Sequence, residues 1–378
     1  MVWTVSTEQT QACEAFRDFV DTRLRPLLQS HFKGPAPKDV TRQVYEAIAP
    51  FGLGSGWVAE SSGGLGIDFV TSGLLYEELS RLTSALAAGV GVNDTVASLI
   101  ASYGTPEMRR RYLEGLLSGS LIASIAVTEP GVGSNPAAVQ TRAVRQGQSL
   151  RIHGEKVWIT NGHVSDLVVV VCRTEEGPSM VLVDREHGYT SRDIDKLGQK
   201  ESSSAQLVFD NVEVPANNFI GPPGEGLKAA FRTFERARCL VGAFACGISS
   251  MALEHAVRYA QEREQWGKPI GAHQMVQGLL ADMATDLECS RLLTLKSLAM
   301  VEQGQRCEDV AAMAKWFSSE ASIRVATNAV QIHGSYGLAT EFPLERLLRD
   351  ARMLNIPDGT TQIQKLIIGR KLTGLSAF

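Results

Sequence analysis

The sharpest segment in this chain is Asn355-Ile356-Pro357-Asp358-Gly359-Thr360-Thr361-Gln362-Ile363-Gln364. Pro-Asp-Gly is a turn sequence, because proline presets its own φ and glycine takes positive φ without steric cost. Asp358 ahead of Gly-Thr-Thr-Gln can cap a helix, or it can serve as a carboxylate base on a rigid turn. A second segment, Thr128-Glu129-Pro130-Gly131-Val132-Gly133-Ser134-Asn135, follows an apolar run. Its glycines let backbone approach a ligand, and Thr128 and Ser134 carry hydroxyl donors; an ordinary turn has the same composition. In Lys156-Val157-Trp158-Ile159-Thr160-Asn161-Gly162, Trp158 can stack on a flat ring while Thr160 bonds its edge, or Trp158 can be a core residue of a sheet. In Glu262-Arg263-Glu264-Gln265-Trp266-Gly267-Lys268-Pro269-Ile270, the planar fork of Arg263 suits paired phosphate oxygens, and a solvated helix end reads the same way.

Composition narrows the partners. The chain has 378 residues, enough for two or three domains at about 150 residues each. Hydrophobic residues make up 44% and charged residues 21%, as in ordinary globular proteins. Lys+Arg of 37 against Asp+Glu of 41 leaves a net charge of −4, which lacks the basic footprint of a nucleic-acid binder. The six cysteines form no C-x-x-C pair and meet no histidine at metal spacing, so they read as buried thiols and no metal site is expected. No apolar run approaches the ~18 residues of a membrane span. The first residues lack a basic-then-apolar pattern, so the expectation is a soluble cytoplasmic protein without a membrane partner.

Three regions must position these segments. Residues 1–118 read as helices, starting near Ser6-Thr7-Glu8 and bending near Pro26. Gly52–Gly56 and Ser61–Gly66 read as loops, and helical spacing runs from about Thr71 to Tyr112 with breaks near Gly89–Asn93 and Gly104-Thr105-Pro106. Residues 119–225 hold short apolar runs at Leu121–Val127, Leu150–Ile152, Val157–Ile159, Leu167–Cys172, Met180–Val183 and Gln206–Phe209, which predict a compact β domain. No amphipathic helices space those strands, so a parallel Rossmann sheet is disfavoured. Residues 226–378 return to helical spacing, with stretches from about 227, 273–303, 308–333 and 343–352 that suggest an antiparallel bundle.

Taken together, these segments resemble the acyl-CoA dehydrogenase family of flavoproteins. The matching phrases are Thr128–Ser134, Lys156–Gly162, Lys196-Leu197-Gly198 with Ser202 and Ser204, Asp210–Pro215, Arg263–Gln274, Gln331–Gly337 and Asp358–Gln364. Each is modest alone, but their shared order and spacing cover nearly the whole chain. The resemblance implies an α+β multidomain fold with an N-terminal helical domain, a central β-barrel domain and a C-terminal four-helix bundle. It implies FAD as cofactor, with Thr128 and Thr160 on the isoalloxazine, Trp158 beside it, Gly133 and Ser134 near the pyrophosphate, and Thr360 and Gln362 on the rest. It further implies that Arg263, Gln265, Trp266, Gln274, Gln331 and Gly334 reach the FAD of a neighbouring subunit, making the protein a dimer or tetramer.

The implied reaction is α,β-dehydrogenation of an acyl thioester, carried on CoA or on an acyl-carrier protein. Asp358 takes the α proton, the flavin takes the β hydride, and the Asp358 backbone N–H faces the thioester oxygen as charge develops. By the same resemblance Glu235 and Arg238 lie beside the thioester arm, although surface helix charges would read alike. An electron-transferring flavoprotein is the family's usual acceptor. The sequence departs from the family where the base is usually Glu; aspartate loses roughly an ångström of reach. The position used by members that place the Glu on the first bundle helix is Ala237 here. Asp94 is a second candidate carboxylate, with helix capping as its plainer role. An oxidase or monooxygenase on the same fold, or a flavin-binding assembly protein with little catalysis, are the alternative readings.

Overall fold

In a computed structural model, residues 5–55 and 57–377 are described, apart from the side chains at 227, 229 and 232; Gly56 of the first glycine-rich loop lies outside this set. The chain opens with α1 (Thr7–Phe19), whose N-cap Ser6 accepts from the Gln9 N–H while Gln9 bonds back to the Ser6 N–H. A π-helical turn at Val20–Leu24 leads into α2 (Arg25–Leu28), so the helix deforms where Pro26 removes a donor. α3 (Lys38–Ile48), α4 (Phe69–Leu82), α5 (Ser84–Tyr103) and α6 (Pro106–Leu117) complete the first region.

The break expected near Gly89–Asn93 does not occur, and α5 runs straight through it. The chain breaks instead at Thr83, which caps α5 by accepting from the Leu86 N–H. The glycines serve close packing: a Cβ on Gly89 would sit 2.5 Å from the Tyr45 hydroxyl, and one on Gly91 would meet Leu240 and Phe244 at 3.6 Å. By length and hydropathy, α5 and residues 233–262 could each cross a membrane, contrary to the expectation that no such run exists. Those windows are 83% and 67% buried within the protein, so their apolar character serves the core.

The middle region is one curled sheet. Its strands are β1 (Ala123–Ala126), β2 (Arg142–Gln146), β3 (Ser149–Thr160), β4 (Leu167–Thr174), β5 (Gly177–Asp184), β6 (Thr190–Asp193) and β7 (Ser204–Pro215). The order is β1-β4-β2-β3-β7-β6, with β5 on the other side of β4. Pairing is antiparallel except where β1 and β2 meet β4. β4 is apolar on both faces for a physical reason. Val168, Val170 and Cys172 point into the core of the sheet, while Leu167, Val169 and Val171 pack toward α5 and α6.

The runs at 150–152 and 157–159 belong to one strand, β3, interrupted by register shifts after Ile152 and Lys156. Asn161-Gly162 forms a turn after β3, but β3 pairs with β2 and β7, so the turn is no hairpin. Asn161 adopts φ 63° and works as a rivet. Its amide donates to the Gly89 and Ala123 carbonyls at 2.9 and 3.0 Å, and its oxygen accepts from the Tyr45 hydroxyl at 3.1 Å. Asn161→Ala should cost about 3 kcal/mol, because three buried groups lose partners and alanine is strained at positive φ. A lowered urea midpoint would show it; an unchanged midpoint would mean that the two regions are joined chiefly by other contacts.

The last region holds α7 (Gly226–Glu262), a small hairpin of β8 (Glu264–Gln265) and β9 (Lys268–Pro269), α8 (Gln274–Glu302), α9 (Glu308–His333), α10 (Leu344–Met353) and α11 (Thr361–Thr373). The three long helices pack on one another, and α10 and α11 pack on α9. A line of contacts between the β sheet and α10 fixes the spacing of the two regions. Lys196 donates to the Ser204 hydroxyl at 2.8 Å, Arg349 donates to the Leu197 carbonyl at 3.0 Å, and the Gln199 N–H meets the Asp350 carboxylate. A Cβ on Gly198 would fall 2.3 Å from the Arg349 carbonyl oxygen, so the loop between β6 and β7 can approach α10 this closely only with glycine there.

Candidate active site

Asp358 sits in the turn between α10 and α11 at φ 54°, a left-handed conformation that Asp tolerates better than most residues. It is not the helix cap. Thr360 caps α11, accepting from the Ile363 N–H at 3.4 Å. The turn is held through its carbonyls. Arg238 Nε of α7 donates to the Asp358 oxygen at 3.1 Å, and Lys315 Nζ of α9 donates to the Gly359 oxygen at 2.9 Å. Gln364 Nε2 donates to both, at 3.1 and 2.8 Å. Among the described residues, neither the Asp358 carboxylate nor its backbone N–H has a hydrogen-bond partner. Burial raises the proton affinity of the Asp358 carboxyl, and the Lys315 and Arg238 cations offset part of that rise.

Arg238 is 8% exposed and faces the Asp358 turn, so it is no surface charge. Glu235 accepts from the Cys307 N–H at 2.7 Å and so holds the start of α9. Asp94 lies inside α5 rather than at a cap; it takes the Tyr76 hydroxyl and, at 3.3 Å, the Gly54 N–H.

The β-domain side of the site is built on a buried ion pair. Lys156, with no exposed surface, donates to Glu129 at 2.9 Å and to the Val127 carbonyl at 3.0 Å. Glu129 also accepts the Gln140 and Thr141 N–H groups, both at 2.8 Å. Burial works against the Glu129 charge, but its hydrogen bonds from Thr141, Lys156 and Gln140 outweigh it and hold the carboxyl below its ordinary range. Directly above, the Val157 N–H bonds the Thr128 carbonyl at 3.0 Å, tying the Thr128 loop to β3. One residue on, Trp158 takes φ 62° in the β3 bulge, which turns its ring outward to 54% exposure. It is therefore not a core residue. Thr160 is half-buried at the end of β3, while Gly133 and Ser134 are exposed, with open space around the Gly133 Cα.

The remaining expected residues form a separate exposed edge. Trp266 and Gly267 both take positive φ, which closes the β8–β9 hairpin and leaves Trp266 91% exposed. Arg263, Gln265, Gln274, Gln331 and Gly334 are exposed too. Tyr259 of α7 stacks on His333 of α9 at 4.1 Å, which brings the hairpin to the end of α9. Met275, Tyr336 and Leu338 add exposed apolar surface to these same elements. Thr360 is half-buried and Gln362 exposed at the head of α11.

Three family models match this chain. The acyl-CoA dehydrogenase N-terminal domain matches residues 6–120, the middle domain 124–212 and the C-terminal domain 224–373. An acyl-CoA dehydrogenase of Bacillus subtilis is 35% identical, covering 98% of this chain and 99% of its own. The chain belongs to the acyl-CoA dehydrogenase family. A cyclohex-1-ene-1-carbonyl-CoA dehydrogenase of Geobacter metallireducens, another member, is 38% identical over 86% of this chain and 88% of its own. Butyryl-CoA dehydrogenase of Megasphaera elsdenii superposes with a TM-score of 0.93 at 30% identity, over 98% of this chain and all of that one. Members of this family are oxidoreductases acting on CH–CH groups, and this chain is one of them.

Proposed function

We propose that this protein is an FAD-dependent dehydrogenase of acyl thioesters in which Asp358 takes the α proton. One observation carries the reading. Arg238, Lys315 and Gln364 fix the turn through its carbonyls, while the carboxylate and the N–H of Asp358 stay unengaged among the described residues. Those two groups are what the reaction needs: a base for the α proton and a donor for the thioester oxygen as negative charge gathers there. With its carboxyl raised by burial, Asp358 is a stronger base than a solvated aspartate.

The β-domain face fits a flat heteroaromatic ring. An outward Trp158 offers a stacking surface, with Thr160 nearby along the chain and Thr128 tied to the adjacent Val157 as hydroxyl donors, and open space at Gly133 admits a phosphate close to backbone. Thr128, Trp158 and Thr160 would hold the isoalloxazine, Gly133 and Ser134 the pyrophosphate, and Thr360 and Gln362 the rest. Bound FAD supplies the acceptor for the β hydride. The neighbouring-subunit role of Arg263, Gln265, Trp266, Gln274, Gln331 and Gly334 is supported by their joint exposure beside apolar Met275, Tyr336 and Leu338. The thioester arm belongs to CoA or to a carrier protein, and an electron-transferring flavoprotein reoxidises the cofactor.

Purified protein should be yellow, and anaerobic addition of a matching acyl thioester should bleach it. A panel of CoA and carrier-protein conjugates identifies the arm and the acyl group. Protein that takes up no FAD, or that no thioester bleaches, would overturn the proposal. Bleaching that reverses quickly in air without another acceptor would mark an oxidase.

A further inference from the structure

Lys315 is a buried cation that the reaction described above does not use. It lies mid-way along α9 with no exposed surface, among Ala311, Ala312, Ala314, Ser318 and Ser319. Its ammonium reaches the Gly359 carbonyl, the residue next to Asp358, and among the described residues it makes no ion pair at bonding distance. Burying an ammonium costs several kcal/mol, and one carbonyl hydrogen bond returns little of that. A glutamine or methionine would fill the position more cheaply if packing were all that mattered.

We propose that Lys315 is a positioning residue for the base: its charge and its bond to Gly359 hold the Asp358 turn in its left-handed form and keep the half-buried carboxylate ionised. This rests on the reading of Asp358 as the base. The charged groups around the turn come from three elements. Arg238 faces it from α7, with Glu235 three residues before it on the same helix and Glu308 of α9 nearby. Lys315 faces it from α9, with Glu320 further along that helix, engaged by the Thr361 hydroxyl at 2.9 Å. From α11, among the described residues, the turn receives the neutral Gln364 amide. Asp358 is the carboxylate that both Arg238 and Lys315 act on. Burial lowers Lys315 to about 8, which leaves the ammonium largely charged at neutral pH and below.

The geometry separates two parts of this role. The hydrogen bond needs only a donor, whereas support of the Asp358 charge needs a cation. Removing the cation leaves Asp358 more strongly raised, so its protonation, and with it the loss of activity, moves to higher pH.

The test is the pH profile of anaerobic flavin reduction, with FAD content and melting temperature recorded for each variant. In Lys315→Met the acid limb should move up by about one pH unit, and Lys315→Arg should restore it. Lys315→Gln keeps a donor without the charge; it should shift the limb as Lys315→Met does, and it carries the test if the methionine variant fails to fold. An acid limb at its wild-type position in folded, FAD-loaded Lys315→Gln would overturn the proposal. Asp358→Asn, measured alongside, keeps the two ideas apart. If it reduces flavin normally, the base assignment fails; if it is inactive while the Lys315 limb does not move, only the Lys315 role fails.

Discussion

Asp358→Asn should bind FAD normally yet reduce it with a thioester on the order of 10³-fold more slowly than the wild-type protein. The amide matches the carboxylate in shape, and the turn is held through the Asp358 and Gly359 carbonyls, which the substitution leaves intact. The same variant should melt higher at neutral pH. The folded pKa of Asp358 lies above its unfolded value, so ionisation on raising the pH costs the folded state more than the unfolded one. Asparagine removes that cost. The gain should be present above the folded pKa and vanish below the unfolded one. A loss of rate with a gain of stability is the signature of a group kept for chemistry. Asp358→Glu supplies the complement, since a faster enzyme would mean that the pocket still suits the longer base and a slower one that it has closed in around aspartate.

The second large effect lies under the cofactor face. Lys156→Met should destabilise the protein by about 3–5 kcal/mol, because it leaves the Glu129 carboxylate buried without its cation. The two N–H groups from Gln140 and Thr141 remain, but they do not neutralise the charge. The damage should extend to FAD binding, because Val157 and Trp158 follow Lys156 directly and Val157 ties down the Thr128 loop. Chemical unfolding and FAD titration measure both. Glu129 sets the pH dependence. Its folded pKa is depressed, so its contribution is present above the unfolded carboxylate value and is lost as pH falls through the folded one. A Lys156→Met protein of wild-type stability would show that the pair is neutral in the balance.

Much of the architecture was legible in the chain. The helix–sheet–helix succession follows from the switch between three-to-four-residue spacing and short β-branched runs, and Ser6 marks its helix start by a capping box. β2 and β6 escaped notice because they are polar: Arg142–Gln146 buries only Ala143, and Thr190–Asp193 buries no apolar side chain. The break at Gly89–Asn93 failed because glycine propensity yielded to packing against Tyr45 and α7.

The site was legible where its residues lie close in sequence. Pro357-Asp358-Gly359 announces a turn, and Asp358 is found there. Lys315 and Gln364 were missed, although Lys315 carried a signal as a single charge inside the small, apolar run Ala311–Phe317. Its partner Gly359 is 44 residues away, and only the packing of α11 on α9 joins them. The Glu129–Lys156 pair spans 27 residues and was hidden for the same reason. Trp158 turned out to be exposed because of a register shift that no composition rule detects.

The direct test of Asp358 is exchange of the thioester α hydrogen. FAD-loaded protein is incubated anaerobically in D2O with the acyl thioester that bleaches it, and recovered substrate is read by proton NMR. Wild-type protein should wash deuterium into the α position, and Asp358→Asn should not. Exchange at the wild-type rate in Asp358→Asn would show that another group takes the proton.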